Sequence, residues 1–253
     1  MNLFRVRGIL LSVHFSFVIW LAFKAQDGWQ EAGWPGLIWS VATLVTFFTC
    51  VVLHEFGHSF TAMHYGIGVR RILLMPIGGM AEMDDIPRQP SRELLITLAG
   101  PAVNFAIAAL LWGALHFVDA PADDNAYSLI GFAAELLFWN LAMGIFNLLP
   151  AFPMDGGRIL RALLAAKMPY LRATFWAVTV GKIITAIGIL LALFVFKAPI
   201  LAILFAFIFF AGEMEYRAAQ RRELEDAHWR AVLARVYAEG VPPPVADPPV
   251  ITR

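Results

Sequence analysis

The chain has 253 residues, 60% of them hydrophobic and 15% charged, with a mean hydropathy of +0.69 and no formal net charge. Soluble domains are about 45–50% apolar and about 25% charged; here the apolar excess lies in long runs, which predicts an all-α polytopic membrane protein. Zero net charge argues against a general nucleic-acid binder, and a single cysteine, Cys50, excludes an internal disulfide and a Cys-rich metal site.

Six transmembrane helices are predicted, at approximately 8–24, 37–65, 92–118, 128–150, 173–196 and 199–216, judged against the roughly 20 helical residues that cross a bilayer core. The first follows Arg5 and Arg7, and no small-residue cleavage site clearly follows it, so no cleavable signal peptide is expected. Trp29, Trp34 and Pro35 in the first connection read as interfacial. Residues 66–91 hold Gly66, Gly68, Pro76, Gly78, Gly79, Pro87 and Pro90 with β-favouring residues between them. They read as a short strand or hairpin between spans two and three. A tight hairpin around Pro199 joins the last two spans. After Glu213 the composition shifts to a charged helix and then to Pro242-Pro243-Pro244 and a polar tail. The expected division is therefore a six-span core at 1–216, followed by a cytoplasmic charged helix and Pro-rich tail at 217–253.

Basic residues alternate between connections. Arg5 and Arg7 precede span one, Arg70, Arg71, Arg88 and Arg92 follow span two, Arg158, Arg161, Lys167 and Arg172 follow span four, and Arg217, Arg221 and Arg222 follow span six. The other connections carry Lys24, then Asp119, Asp123 and Asp124, then Lys197. By the positive-inside rule both termini are cytoplasmic, in a multi-pass protein of the cell (inner) membrane.

Within span two lies His54-Glu55-Phe56-Gly57-His58. Residues four apart on a helix share a face, so the two imidazoles can bind one metal ion. Glu55 beside them can reach a water on that metal, the H-E-x-x-H arrangement of zinc-dependent peptide hydrolysis. Catalytic zinc commonly takes three protein ligands plus water, and the best third ligand is Asp155, just past the cytoplasmic end of span four. Orientation and motif, argued independently, put both halves of the site in the same leaflet. Ionisable groups at membrane depth are costly and usually mark function or a partner.

The segments HEFGH at 54–58, PIGGM at 76–80, LAGPAVN at 98–104 and NLLPAFPMDGGRILRALL at 147–164 resemble the site-2 protease family of intramembrane zinc metalloproteases, over essentially all of residues 1–216. The resemblance implies one zinc ion per chain, bound by His54, His58 and Asp155, with Glu55 as general base. It implies that Asn147 and Asn104 hydrogen-bond near the site, and that Pro150, Pro153, Gly78 and Gly79 shape the site or its substrate contacts. It further implies a membrane-associated β element around 70–83, able to hold an unwound substrate by strand addition. The implied substrate is a single-span membrane protein of the anti-sigma-factor, pro-sigma-factor or remnant-signal-peptide class, met in the lipid bilayer, with a regulatory membrane protein as a further partner. The chain looks most like the compact sporulation-type branch. Residues 66–91 are too few for a PDZ insertion, and the Pro-rich tail at 240–253 could be the stub of a linker or a natural end, so the residues present do not support adenine-nucleotide regulation.

Plainer readings stand beside these. Asp155 could only cap a helix starting near Gly156, and Asn147 and Asn104 could only join helices. Gly100-Pro101 could only kink or start a helix. Cys50 reads as a packing residue, His14 and His116 as interfacial or packing residues, and His64 as turned away from the histidine pair. Lys182 reads as snorkelling or facing the bundle interior. The alternative functions are a membrane metal-ion transporter, which has little need for Glu55, and a catalytically silent scaffold, against which the intact ligand set speaks.

Overall fold

A computed structural model describes residues 1–76, 78–84, 88–117 and 128–238. Pro87, the acidic connection with Asp119, Asp123 and Asp124, and the Pro-rich tail at 240–253 lie outside the described residues. The chain runs through strands β1 (Asn2–Val6) and β2 (Ile9–Val13), helix α1 (Phe15–His64), strands β3 (Val69–Met75) and β4 (Gly78–Met83), and helices α2 (Pro90–His116), α3 (Leu129–Asn147), α4 (Asp155–Ala165), α5 (Tyr170–Leu190) and α6 (Pro199–Ala238). A π-helical turn, Leu191–Val195, closes α5. Among the described residues five helices are long and apolar enough to cross a membrane: α1, α2, α3, α5 with its π turn, and α6.

Helix α1 is not one rod. His14 caps its start, its ring nitrogen accepting from the Ser16 amide. The backbone leaves helical geometry at Ala32 (φ −146°) and Gly33 (φ 60°), and Pro35 lies just inside the second limb. The two limbs run back along each other. Phe17 and Phe48 would lie roughly 45 Å apart on one straight helix, yet their rings meet edge to face with centroids 4.6 Å apart, and Trp20 joins Phe48 at 5.7 Å. The turn is tight because neither flank carries a side chain where they cross: a Cβ on Gly28 would lie 2.4 Å from the Gly36 carbonyl oxygen. The second limb ends in a left-handed Gly66 (φ 78°), where the Ile67 amide reaches back to the Ala62 carbonyl.

The β element is larger than the sequence suggested. Residues Ile9–Val13, read above as the start of span one, form β2 instead, and the helix begins at Phe15. The positive φ of Arg7 (48°) and Gly8 (91°) turns β1 back antiparallel onto β2. Strand β2 then pairs in parallel with β3, Leu11 opposite Ile72 and Val13 opposite Leu74, and β3 pairs antiparallel with β4. The sheet order is β1-β2-β3-β4. One face presents Ile9, Leu11, Val13, Ile72 and Leu74, all buried against Phe48, Val51 and Val52 of α1. The sheet is thereby anchored on the limb that carries the histidine pair.

Helices α5 and α6 form the predicted hairpin and contact each other through Lys182, whose ammonium meets the Glu213 carboxylate at 2.5 Å and lies over the Phe209 ring. Helix α6 continues without a break from its apolar part into its charged part, crossing position 216. The charged part is tied back by Arg88, which meets Asp226 at 2.6 Å.

Candidate metal centre

His54 and His58 lie on the same face of α1, both buried, and Asp155 is the first residue of α4. Their ligand atoms converge. Nε2 of His54 and Nε2 of His58 are 3.1 Å apart, and each lies 3.3 Å from Oδ2 of Asp155. Helix α4 begins at Asp155, so the carboxylate also sits at the positive end of a helix.

Glycines make this convergence possible. A Cβ on Gly57 would lie 2.6 Å from the Ala99 carbonyl oxygen, so α1 and α2 cross closely at that point. A Cβ on Gly100 would lie 2.2 Å from His58 Nε2 and 2.8 Å from His54 Cε1. The plain reading of Gly100 as a kink is thus insufficient; its missing side chain is the space the imidazoles occupy. On the other side, the loop 148–154 is pressed onto the first turn of α4, where a Cβ on Gly156 would lie 2.1 Å from the Leu149 carbonyl oxygen. Gly181 of α5 admits Ala151 of the same loop, its Cβ position lying 2.9 Å from the Ala151 Cα. Pro150 belongs to this loop, and Pro153 is exposed in it, after a cis Phe152–Pro153 peptide.

The outer nitrogens of both imidazoles are occupied. His58 Nδ1 lies 2.8 Å from the Ile96 carbonyl oxygen, and His54 Nδ1 lies 2.6 Å from Asn104 Oδ1. Both partners accept, so both Nδ1 atoms carry the proton and both Nε2 atoms present bare lone pairs. Oδ2 of Asp155 is buried and without a hydrogen-bond donor. Three electron-rich atoms therefore face one another with no proton between them, which is repulsive unless a cation lies among them. Tetrahedral zinc with bonds of about 2.0–2.2 Å separates adjacent ligand atoms by roughly 3.3–3.5 Å, close to the spacing found. The residues fit the metal.

Glu55 is half-buried, and its side chain packs on β4: a Cβ on Gly79 would lie 2.6 Å from Glu55 Cγ. Gly78 opens β4 with φ 136°. Asn147 donates to the Met143 carbonyl one turn back in α3. Cys50 does not join the ligand set; its sulfur accepts from Asn140 at 3.4 Å. His116 stacks on Trp112. Two buried features escaped the sequence reading. One is Asn140, whose partners are 36 and 90 positions away. The other is the ion pair of Arg161 with Glu93. The signal for both was a polar residue inside an apolar or small-residue helix face.

Known proteins are similar to this chain in sequence and fold. The model of peptidase family M50 matches residues 42–120 and 113–195. The chain is 40% identical over 219 residues to a zinc metalloprotease of Methanocaldococcus jannaschii, covering 87% of this chain and 61% of that relative. It is 30% identical over 203 residues to Rip3 of Mycobacterium tuberculosis, covering 77% of this chain and 51% of Rip3. With stage IV sporulation protein FB of Bacillus subtilis it shares 25% identity, over 91% of this chain and 73% of that protein. The chain thus spans between half and two thirds of the length of the first two relatives. A solved structure, the site-2 protease from Methanocaldococcus jannaschii, superposes with a TM-score of 0.60 at 37% identity, covering 85% of this chain and 94% of that one. With sequence, fold and ligand geometry in agreement, the chain belongs to peptidase family M50, the family of site-2 proteases.

Proposed function

We propose that this chain is a zinc endopeptidase that cleaves membrane-spanning or membrane-associated proteins within the bilayer. The observation that carries this reading is the convergence of His54, His58 and Asp155, whose ligand atoms all lie within 4.8 Å of one another, with the histidine pair on a helix long and apolar enough to cross a membrane. Zinc held there supplies Lewis acidity, lowering the pKa of water to about 7 and polarising a carbonyl. His54 and His58 would hold the zinc through Nε2, and Asp155 through Oδ2. Glu55 takes the proton from the attacking water on its carboxylate and delivers it to the leaving amine.

A helical substrate hides its carbonyls in internal hydrogen bonds, so it must be locally extended before it can be cut. Strand β4 is an edge of the sheet and carries Gly79 against Glu55. An extended segment added to β4 would run past the general base. Gly78, Pro150 and Pro153 shape the approach, and Asn147 at the end of α3 contacts the substrate. The substrates are single-span proteins of the anti-sigma-factor, pro-sigma-factor or remnant-signal-peptide class, and a membrane protein regulates the enzyme. The two limbs of α1 count as separate spans, giving six crossings with both termini in the cytoplasm.

The test reconstitutes the purified protein with a single-span substrate. Glu55→Gln is expected to keep zinc and lose cleavage; Asp155→Ala is expected to lose both. Metal flux persisting in Glu55→Gln, with no cleavage by the wild type, would instead establish transport.

A further inference from the structure

The two histidines present bare Nε2 atoms for different reasons. His58 is held directly by a backbone carbonyl, that of Ile96, which only accepts. His54 faces a side-chain amide, Asn104, which could offer either its oxygen or its nitrogen. Turned the other way, Asn104 would donate to Nδ1, forcing the proton onto Nε2 and removing His54 from the ligand set. Something must fix that amide.

Asn140 of α3 does so. Its Nδ2 donates to the Leu136 carbonyl at 2.8 Å, a group that can only accept, so the nitrogen end of Asn140 is pinned. Its second proton points to Cys50 Sγ at 3.4 Å. The Oδ1 end is left facing Asn104, and only the nitrogen of Asn104 can donate to it, at 3.1 Å. That nitrogen also lies 3.6 Å from Met143 Sδ, a weak acceptor. The oxygen of Asn104 is thereby directed at His54 Nδ1. Asn104 and Asn140 are both fully buried, so no solvent competes for these groups. The polarity of the Leu136 carbonyl is passed through two amides to the metal ligand.

We propose that Asn140 is a positioning residue of the metal centre, which sets the orientation of Asn104 and through it keeps His54 bare on Nε2. The proposal rests on the metal-centre reading and adds to it a residue of α3 that touches neither metal nor substrate. It predicts a difference that simple packing does not. Losing Asn140 frees Asn104 to turn, whereas a carboxylate at 104 accepts in either orientation and needs no such control.

The experiment measures zinc affinity of the detergent-solubilised protein by competition with a chelator. Asn140→Leu should weaken zinc about 10- to 100-fold, the range typical for partners of metal-bound histidine. Asn140→Leu combined with Asn104→Asp should return to within about threefold of the wild type. Cys50→Ala, which leaves the Leu136 anchor in place, should change affinity by less than about threefold. Wild-type affinity in Asn140→Leu, or no recovery in the double variant, overturns the proposal while leaving the metal centre standing. A wild type that holds no zinc overturns both. A second measurement needs no variant at position 140: nitrogen-15 spectra of the zinc-free, histidine-labelled wild type should show His54 protonated on Nδ1, its signals identified by their loss in His54→Gln. An Nδ1 without a proton overturns the relay.

Discussion

Two glycines line the site from opposite sides and separate its two jobs. Gly100 stands where a methyl group would press on His58 Nε2 and His54 Cε1; Gly79 stands where one would press on the Glu55 stem. Neither has a positive φ, so alanine is compatible with the backbone and the effect is one of space. Gly100→Ala should therefore displace the imidazoles and strip zinc, with cleavage lost as a consequence. Gly79→Ala should leave zinc bound and reduce cleavage, because only Glu55, the proposed general base, is moved. Zinc content by atomic absorption, measured beside cleavage rate, checks both; the idea fails if the two variants lose metal equally. The convergence of His54, His58 and Asp155 was legible in the sequence, because helical spacing joins His54 to His58 and the motif around Asp155 is distinctive. Gly100 was not. A glycine in a helix has many uses, and its role here is defined by a partner 42 positions earlier, which spacing along one helix cannot report.

Helices bring these residues together, and the connection that holds the ligand helix is ionic. Arg161 of α4 is 2% exposed, and its Nε and Nη2 both donate to Oε1 of Glu93 in α2, at 2.8 and 2.6 Å. Nη1 reaches Glu215 of α6 at 2.6 Å, and the guanidinium carbon lies 5.0 Å from the Phe152 and Tyr170 ring centres. One side chain thus ties the helix bearing Asp155 to the helix bearing the Ile96 carbonyl. Breaking a buried pair leaves a charge without compensation, at a cost of about 3–5 kcal/mol, whereas replacing both partners by apolar groups is often neutral. Arg161→Ala should accordingly lower the unfolding midpoint in detergent markedly, and Arg161→Met with Glu93→Leu should recover most of it. A double variant no more stable than Arg161→Ala would remove the ion pair from this account. The apolar runs made the helices readable, since each exceeds the length of an ordinary core helix. The N-terminal hairpin was hidden by the same signal: Ile9–Val13 is apolar and adjoins the apolar start of α1, so periodicity could not divide strand from helix. Its parallel pairing with β3 spans some sixty residues and leaves no local trace.

For the molecule as a whole the decisive point is the turn at Ala32-Gly33. If α1 crossed the membrane once, the chain would cross five times, its termini would lie on opposite sides, and Arg5 and Arg7 would face away from the other arginine-rich connections. If each limb crosses, as proposed above, there are six crossings. The connections rich in arginine, the N-terminal one included, would then fall on one side, as the positive-inside rule requires, and His58, only seven residues or roughly 10 Å of helix before Tyr65, would lie close to that surface. A short water route to the site would follow from the same arrangement. Labelling distinguishes the two cases. In a Cys50→Ala background, which removes the single native thiol, cysteines placed at Gln30, Lys167 and Gln220 replace side chains that are exposed. A membrane-impermeant maleimide added to intact cells should modify Gln30→Cys and spare Lys167→Cys and Gln220→Cys; in inverted vesicles, whose cytoplasmic face is outward, Lys167→Cys and Gln220→Cys should react and Gln30→Cys should be protected. Protection of Gln30→Cys from both sides would mean that the turn is buried at mid-membrane, and the six-span arrangement, with both termini in the cytoplasm, would have to be abandoned.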